Sequence, residues 1–516
     1  MRIFLPFLLS TVSLAAQAVH TNCADLKNFN APALIVLSAE DVPAGTQLTG
    51  AHVTLPAHCL LRGEVNKHTG ADGKSYSDTF ELRMPNDWNG RLLFQGGGGL
   101  DGIVQPAIGP GGLGERPALF RGYAVVTTDG GHAADPKTPA DAAFGADPNA
   151  LADYEYRSTQ LVTDAAKKLV FSHYGSLPKR SYFRGCSNGG REGLMAVQRY
   201  PEYFDGVIAG APAFHLTRAM VAEAWNTMQF ASLGKDLKNA FSDADLQLVS
   251  QGVLAQCDAL DGVKDDLIFN PAACHYDPAE LQCAGEKKST CLSRTQITAL
   301  KKALGGPVDS NGKPLYSDWP YDSGIAGAGW RQWILGNEKM PAINVLIFPP
   351  AINGMVLQGK PPSMDIFHFN FDTDTARLNR MAPELNSDST DLSAFRSHGG
   401  KLILYTGMSD PVFSANDLIR YYQDIESANG GEQQTVQFAR LFLLPGVNHC
   451  GGGPGLDSFD SLAALEDWVE DGTPPEHIVA RGNAFPGRTR PLCPYPQTPH
   501  YNGWGNPENA VSFFCK

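Results

Sequence analysis

A short strand, a glycine-flanked turn and a helix follow one another within a few residues at Ser181-Tyr-Phe-Arg-Gly185-Cys186-Ser187-Asn188-Gly189-Gly190. The pattern G-x-S-x-G between a strand and a helix is a sharp elbow: small neighbours let the chain turn tightly and lift the serine oxygen above the end of a sheet. With 54 glycines in 516 residues, a serine has glycine at both flanking positions by chance about one time in a hundred, so the tripeptide spacing alone is weak. The strand before it, the helix after it and the extra Gly190 give it its weight. A chain with such an elbow is expected to build an α/β sheet around it.

The neighbouring sequence has that rhythm. Short β-branched or aromatic runs at Arg91–Gln95, Tyr123–Thr127, Ser181–Phe183 and Gly206–Ala209 alternate with helical patterns, which predicts βαβ units and a mostly parallel sheet. Leu161, Val162, Ala165, Ala166, Leu169 and Val170 form one apolar face at helical spacing. Sheet-like runs return only at Lys401–Tyr405 and Ala439–Leu444. The chain is longer than one ordinary domain, and we divide it into core residues 19–213, an inserted, loop-rich lid over 214–398, and a second core part over 399–516. The lid holds four of the cysteines and Trp319, Trp330, Trp333, Phe367 and Phe369.

A serine hydroxyl is a poor nucleophile at neutral pH; it needs a base, and the base needs a carboxylate to orient it. On an elbow fold the order is serine, acid, histidine. After the run 401–405 comes Thr406-Gly-Met-Ser-Asp410, and after 439–444 comes Pro445-Gly-Val-Asn-His449-Cys450. Asp410 and His449 thus fall on loops at the ends of consecutive strands, where sites of open α/β sheets collect. A lone loop Asp or His is more often solvated and idle, but here two independent positions fit one constellation with Ser187. Cys186 precedes the serine and Cys450 follows the histidine, so a Cys186–Cys450 bridge fits the roughly 6 Å Cα separation of a disulfide if the triad is assembled.

The start of the chain, Met1-Arg2, an apolar run from Ile3 to Leu9 and Ala16-Gln17-Ala18, reads as a signal peptide cleaved after Ala18. No later stretch is apolar enough to span a membrane. Ten cysteines suit an oxidising compartment, so a secreted or periplasmic protein is expected. The net charge of −13 disfavours nucleic acid and anionic membrane as partners. No N-x-[ST] acceptor occurs, a weak hint of bacterial export.

Cys257-Asp258-Ala-Leu-Asp261-Gly-Val263-Lys-Asp265-Asp-Leu267 spaces three carboxylates around a glycine bend. Asp258, Asp261 and Asp265 with the carbonyls of Val263 and Leu267 would offer a hard Ca²⁺ most of its oxygens; the alternative is an acidic surface turn. The spacing is not that of an EF-hand, and no His or free thiol nearby suits Zn²⁺. No organic cofactor is expected.

Gly185-Cys-Ser-Asn-Gly-Gly-Arg-Glu-Gly193, Gly407-Met-Ser-Asp410 and Pro445-Gly-Val-Asn-His-Cys450 together resemble the tannase and feruloyl esterase family, over nearly all of the mature chain. The resemblance implies an α/β-hydrolase fold with a large inserted lid, and a secreted serine esterase acting on feruloyl, galloyl or benzoyl esters, mono(2-hydroxyethyl) terephthalate among them. It supports the calcium loop, here with Asp265-Asp266 where members carry Asp-Gly, and it implies the pairs Cys23–Cys59, Cys257–Cys274, Cys283–Cys291 and Cys493–Cys515. Of the two oxyanion donors such a site needs, Asn188 follows the nucleophile and the resemblance assigns Gly99, in Gly96-Gly-Gly-Gly99-Leu100, as the other. It also points to Leu216, Trp333, Val412 and Phe413 as walls for an aromatic acyl group. A lid arginine grips a distal carboxylate in the terephthalate case, but residues 337–376 here hold no arginine, only Lys339, Lys360 and His368. Two rival readings are a catalytically inactive binding module on this fold and a serine peptidase.

Overall fold

The β-branched and aromatic runs pair into one nine-stranded sheet in a computed structural model that describes residues 21–49, 53–111, 115–135, 137, 138 and 140–516. Its strands are β1 (Leu34–Val42), β2 (His58–Thr69), β3 (Ser75–Pro85), β4 (Arg91–Gln95), β5 (Ala124–Thr128), β6 (Arg180–Cys186), β7 (Gly206–Gly210), β8 (Lys401–Gly407) and β9 (Ala439–Leu444). They lie in the order β1-β2-β3-β5-β4-β6-β7-β8-β9. Strands β5, β4, β6, β7, β8 and β9 run parallel, and β1 to β3 extend one edge antiparallel. The fold is α/β. The signal-peptide reading falls outside the described residues.

Parallel strands are buried on both faces and read as continuous apolar runs. In β6, Tyr182 joins one core cluster and Phe183 the other. On the Phe183 side pack α1 (Ser158–Tyr174) and α2 (Asn188–Arg199), through Val162, Leu169 and Leu194. Between β7 and β8 the chain leaves the sheet and builds one apolar cluster of its own and a second that it shares with residues such as Leu100, Phe144, Tyr154 and Phe413. This segment is not loop-rich: it contains α3 (Leu216–Ala231), α4 (Asp243–Cys257), α5 (Arg294–Leu304), α6 (Ala328–Ile334) and α7 (Ile343–Ala351). In α3 nearly every position from Leu216 to Ala224 is buried, so no apolar stripe stands out against a polar face and the helical period is faint. Back in the core, α8 (Ala415–Ala428) packs through Leu418 and Ile425 on the Phe183 side, and α9 (Ser461–Glu470) through Leu462, Leu465 and Trp468 on the other.

After α9 the chain forms two small antiparallel pairs, Ile478–Ala480 with Arg490–Leu492 and Pro499–Tyr501 with Phe513–Cys515. The structure contains the five disulfides Cys23–Cys59, Cys186–Cys450, Cys257–Cys274, Cys283–Cys291 and Cys493–Cys515. No helix among the described residues is long and apolar enough to cross a membrane.

Candidate active site

Ser187 follows β6 and caps α2 with φ 63° and ψ −122°, a conformation that costs a non-glycine residue about 1–3 kcal/mol and survives only where its surroundings impose it. The surroundings are glycines. A Cβ on Gly185 would stand 2.4 Å from the Gly189 carbonyl oxygen, and one on Gly189 would stand 2.6 Å from that of Gly97. The turn is also held by Ser187 N–H donating to Gly210 O at 3.0 Å.

Asp410 and His449 lie on the loops that follow β8 and β9. The fully buried Asp410 carboxylate accepts from Val412 N–H at 2.8 Å and Phe413 N–H at 3.0 Å through Oδ1, and holds His449 Nδ1 through Oδ2 at 2.8 Å. His449 Nε2 is buried without a hydrogen-bond partner. Ser187 and His449 line one cavity of about 540 Å³, and Cys186 and Cys450, their chain neighbours, are bonded with a Cα separation of 6.0 Å. An imidazole with its Nδ1 held by a carboxylate and its Nε2 free is set to accept a proton at Nε2.

The segment between β7 and β8 braces both loops. Asp322 accepts from Gly446 N–H at 2.7 Å and from the Ser409 hydroxyl, while Asn448 Nδ2 donates to Gly324 O at 2.9 Å. Gly96 to Gly99 border the same cavity as Ser187. Asn188 begins α2, where its main-chain N–H has no partner within the helix.

Of the four proposed wall residues, Trp333 lines the cavity. Its ring meets His449 edge-on at 5.2 Å, and Phe413 does the same at 5.4 Å. Phe413, Leu216 and Val412 do not border the cavity; they sit in the apolar cluster beside it, with Phe348 and Met355. Arg184, Ile347 and Tyr405 line it as well. None of these three carried a sequence signal, because each reaches the cavity only once the strands and the inserted segment are assembled. Arg184 is paired with Glu115 at 3.4 Å.

The acidic loop lies apart from this cavity. Asp258 accepts from Asp265 N–H at 3.0 Å, and Asp261 from Val263 N–H at 3.1 Å and Phe269 N–H at 3.3 Å. Asp265 turns its Oδ2 to the buried Arg490 guanidinium. No three His, Cys, Asp or Glu side chains stand at metal-holding spacing among the described residues. Even so, Asp258 Oδ2 is buried without a partner, and burial, with the neighbouring carboxylates, raises Asp258 and pushes Asp261 up to about 6. Two buried carboxyls short of positive charge fit a hard cation.

Known proteins resemble this chain over most of its length. A family model described as tannase and feruloyl esterase matches residues 63–516. The chain is 40% identical to a mono(2-hydroxyethyl) terephthalate hydrolase of Piscinibacter sakaiensis, over 97% of this chain and 91% of that one. It is 30% identical to a probable feruloyl esterase of Arthroderma benhamiae, over 87% and 84%. Among solved structures, feruloyl esterase B from Aspergillus oryzae superposes with a TM-score of 0.82 at 25% identity, covering 96% of this chain and 99% of that one.

Proposed function

Because this chain belongs to the tannase and feruloyl esterase family and is a carboxylic ester hydrolase, we propose that it hydrolyses esters of aromatic acids through Ser187, His449 and Asp410. The observation that carries this reading is the polarity of His449: Nδ1 is held by Asp410 at 2.8 Å, and Nε2 is free in the cavity that Ser187 lines. Ser187 Oγ attacks the ester carbonyl while His449 Nε2 takes its proton. The oxyanion so formed is held by the N–H groups of Gly99 and Asn188, and removing one such donor costs about 10²–10³ in kcat. His449 returns the proton to the departing alcohol, water repeats the sequence on the acyl-enzyme, and the acid is released.

The aromatic acyl group fits the slot floored by Trp333, with the Phe413, Leu216 and Val412 packing behind it; flat apolar walls with few polar groups suit a ring. The fold is read as an α/β-hydrolase, with residues 214–398 as the lid that closes this slot. Asp258, Asp261 and Asp265, with the carbonyls of Val263 and Leu267, would hold Ca²⁺, which would supply positive charge to the lid and no chemistry to the ester. Export after cleavage of residues 1–18 completes the reading, in keeping with five disulfides.

Side-by-side kcat/KM on methyl ferulate, a gallate ester, mono(2-hydroxyethyl) terephthalate and a short aliphatic ester tests the substrate class. We expect the feruloyl- or benzoyl-type ester to lead and the terephthalate half-ester to be turned over with weak binding, since residues 337–376 offer no arginine to its carboxylate. A lead for the aliphatic ester defeats the aromatic slot, and cleavage of a peptide amide in preference to every ester defeats the esterase mechanism.

A further inference from the structure

Four consecutive glycines, Gly96 to Gly99, form the loop on which the second oxyanion donor lies. Glycine has the widest conformational freedom of any residue, and at Gly98 and Gly99 a Cβ would meet nothing within 4 Å. Side-chain packing therefore holds only the ends of the loop, where a Cβ on Gly96 would stand 2.9 Å from the Phe183 ring and Leu100 is buried in an apolar cluster. Between these ends the anchors are polar and come from α2 and its surroundings. Glu192 Oε2 accepts from Gly97 N–H at 3.1 Å. Asn188 Nδ2 donates to Glu192 Oε1 at 3.1 Å and to Asp101 Oδ1 at 2.8 Å. Asn188 Oδ1 in turn accepts from Arg191 Nε at 2.7 Å and from the Tyr154 hydroxyl at 3.2 Å, and that hydroxyl also reaches Gly99 O at 3.4 Å.

Asp101 closes the loop from the other end. It takes φ 51°, and its carboxyl folds back beneath its own loop, so that a Cβ on Gly97 would stand 2.6 Å from Asp101 Oδ2. All of these side chains are buried. We propose that Glu192 and Asp101 are positioning residues that clamp the Gly96–Leu100 loop to the first turn of α2 through the Asn188 side chain, and so hold the two oxyanion donors at a fixed separation. The inference rests on the assignment of Gly99 and Asn188 as those donors. Burial, and then the adjoining Glu192 carboxyl, raise Asp101 well above the usual carboxylate range. Asp101 Oδ2 is buried without a hydrogen-bond partner, and the bonds that Asp101 Oδ1, Asn188 and Glu192 do make, in buried surroundings, rigidify what they join. Donors placed before the reaction begins stabilise the transition state without moving, whereas a drifting glycine loop loses that advantage.

The test compares Glu192→Ala, Glu192→Gln and Ser187→Ala on one ester. Glutamine keeps an acceptor for Gly97 N–H; alanine does not. We expect Glu192→Ala to lower kcat at least tenfold with KM within about twofold of the parent, and Glu192→Gln to restore most of the loss. A kcat for Glu192→Ala within threefold of the parent, a loss that lies in KM, or a glutamine variant as slow as the alanine one overturns the proposal. If Glu192→Ala fails to fold, Asn188→Ala, which keeps the main-chain N–H and cuts the bridge to both carboxyls, is read by the same criteria. Ser187→Ala separates the two layers: if it is inactive while Glu192→Ala is unimpaired, the clamp fails and the nucleophile stands; if it is active, the assignment beneath the clamp fails.

Discussion

Ser187→Ala removes only the attacking oxygen, so ester turnover should fall at least ~10⁴-fold with the fold intact; activity within about tenfold of the parent refutes the nucleophile. Gly189→Ala tests the elbow itself. The new Cβ would have to stand 2.6 Å from Gly97 O, so the loop or the helix must shift. We expect a loss of at least tenfold in kcat, because a misplacement of about 1 Å at a reacting centre can cost about 10²; unchanged kinetics would show that the contact relaxes freely. Asp129 carries a pH prediction. It accepts from Thr79 N–H at 3.0 Å and Gly131 N–H at 3.1 Å, and burial pushes its carboxyl up to about 7. A carboxyl raised on folding binds its proton more tightly in the folded state, so its stabilising contribution is full below about pH 4 and drains as pH climbs towards 7. Asp129→Asn removes that loss. Relative to the parent, the variant should gain on the order of 2–4 kcal/mol between pH 4 and pH 8, read as a difference in denaturation midpoints. A difference independent of pH counts against the raised carboxyl.

Two loops and one strand end meet at the site, and the Cys186–Cys450 bridge closes a span of 264 residues between them. Asp322 and Asn448 tie the same loops to the inserted segment, so the bridge is one of several restraints. Cys186→Ser with Cys450→Ser should therefore leave a folded protein whose kcat is reduced by tenfold or more, because the serine and histidine loops gain freedom that proximity cannot tolerate. Full activity in the double variant, with the other four bridges mapped intact, would show that the polar ties suffice. The helices of the inserted segment explain an expectation that failed. The burial of α3 on nearly all sides removes the polar face by which sequence patterns recognise a helix, and the glycines, prolines and cysteines between the helices give the whole segment the texture of loops.

At the scale of the molecule, the acidic loop joins the inserted segment to the C-terminal strands, since Arg490 of one pairs with Asp265 of the other. A cation bound only by the native state stabilises it by mass action. Chelation should lower Tm by several degrees and leave kcat of the surviving fold within about twofold, because the loop does not border the cavity lined by Ser187 and His449. An unchanged Tm in chelator, with no calcium by elemental analysis, removes the metal.

The elbow, the strands β4 to β9, and the loops bearing Asp410 and His449 were legible in the sequence, because a tight turn demands glycine, buried parallel strands demand apolar runs, and both demands are local. Strands β1 to β3 escaped notice; they extend the sheet antiparallel at its edge and interrupt the strand–helix alternation on which the reading relied. Which apolar residues line the cavity was decided by tertiary structure alone. Trp333 reaches the cavity while Leu216, Val412 and Phe413 pack beside it, and a core position and a cavity wall ask for the same side chains. The clamp of Glu192, Asp101 and Asn188 likewise has no sequence period, since hydrogen bonds between residues 87 positions apart exist only once β4 and β6 lie side by side.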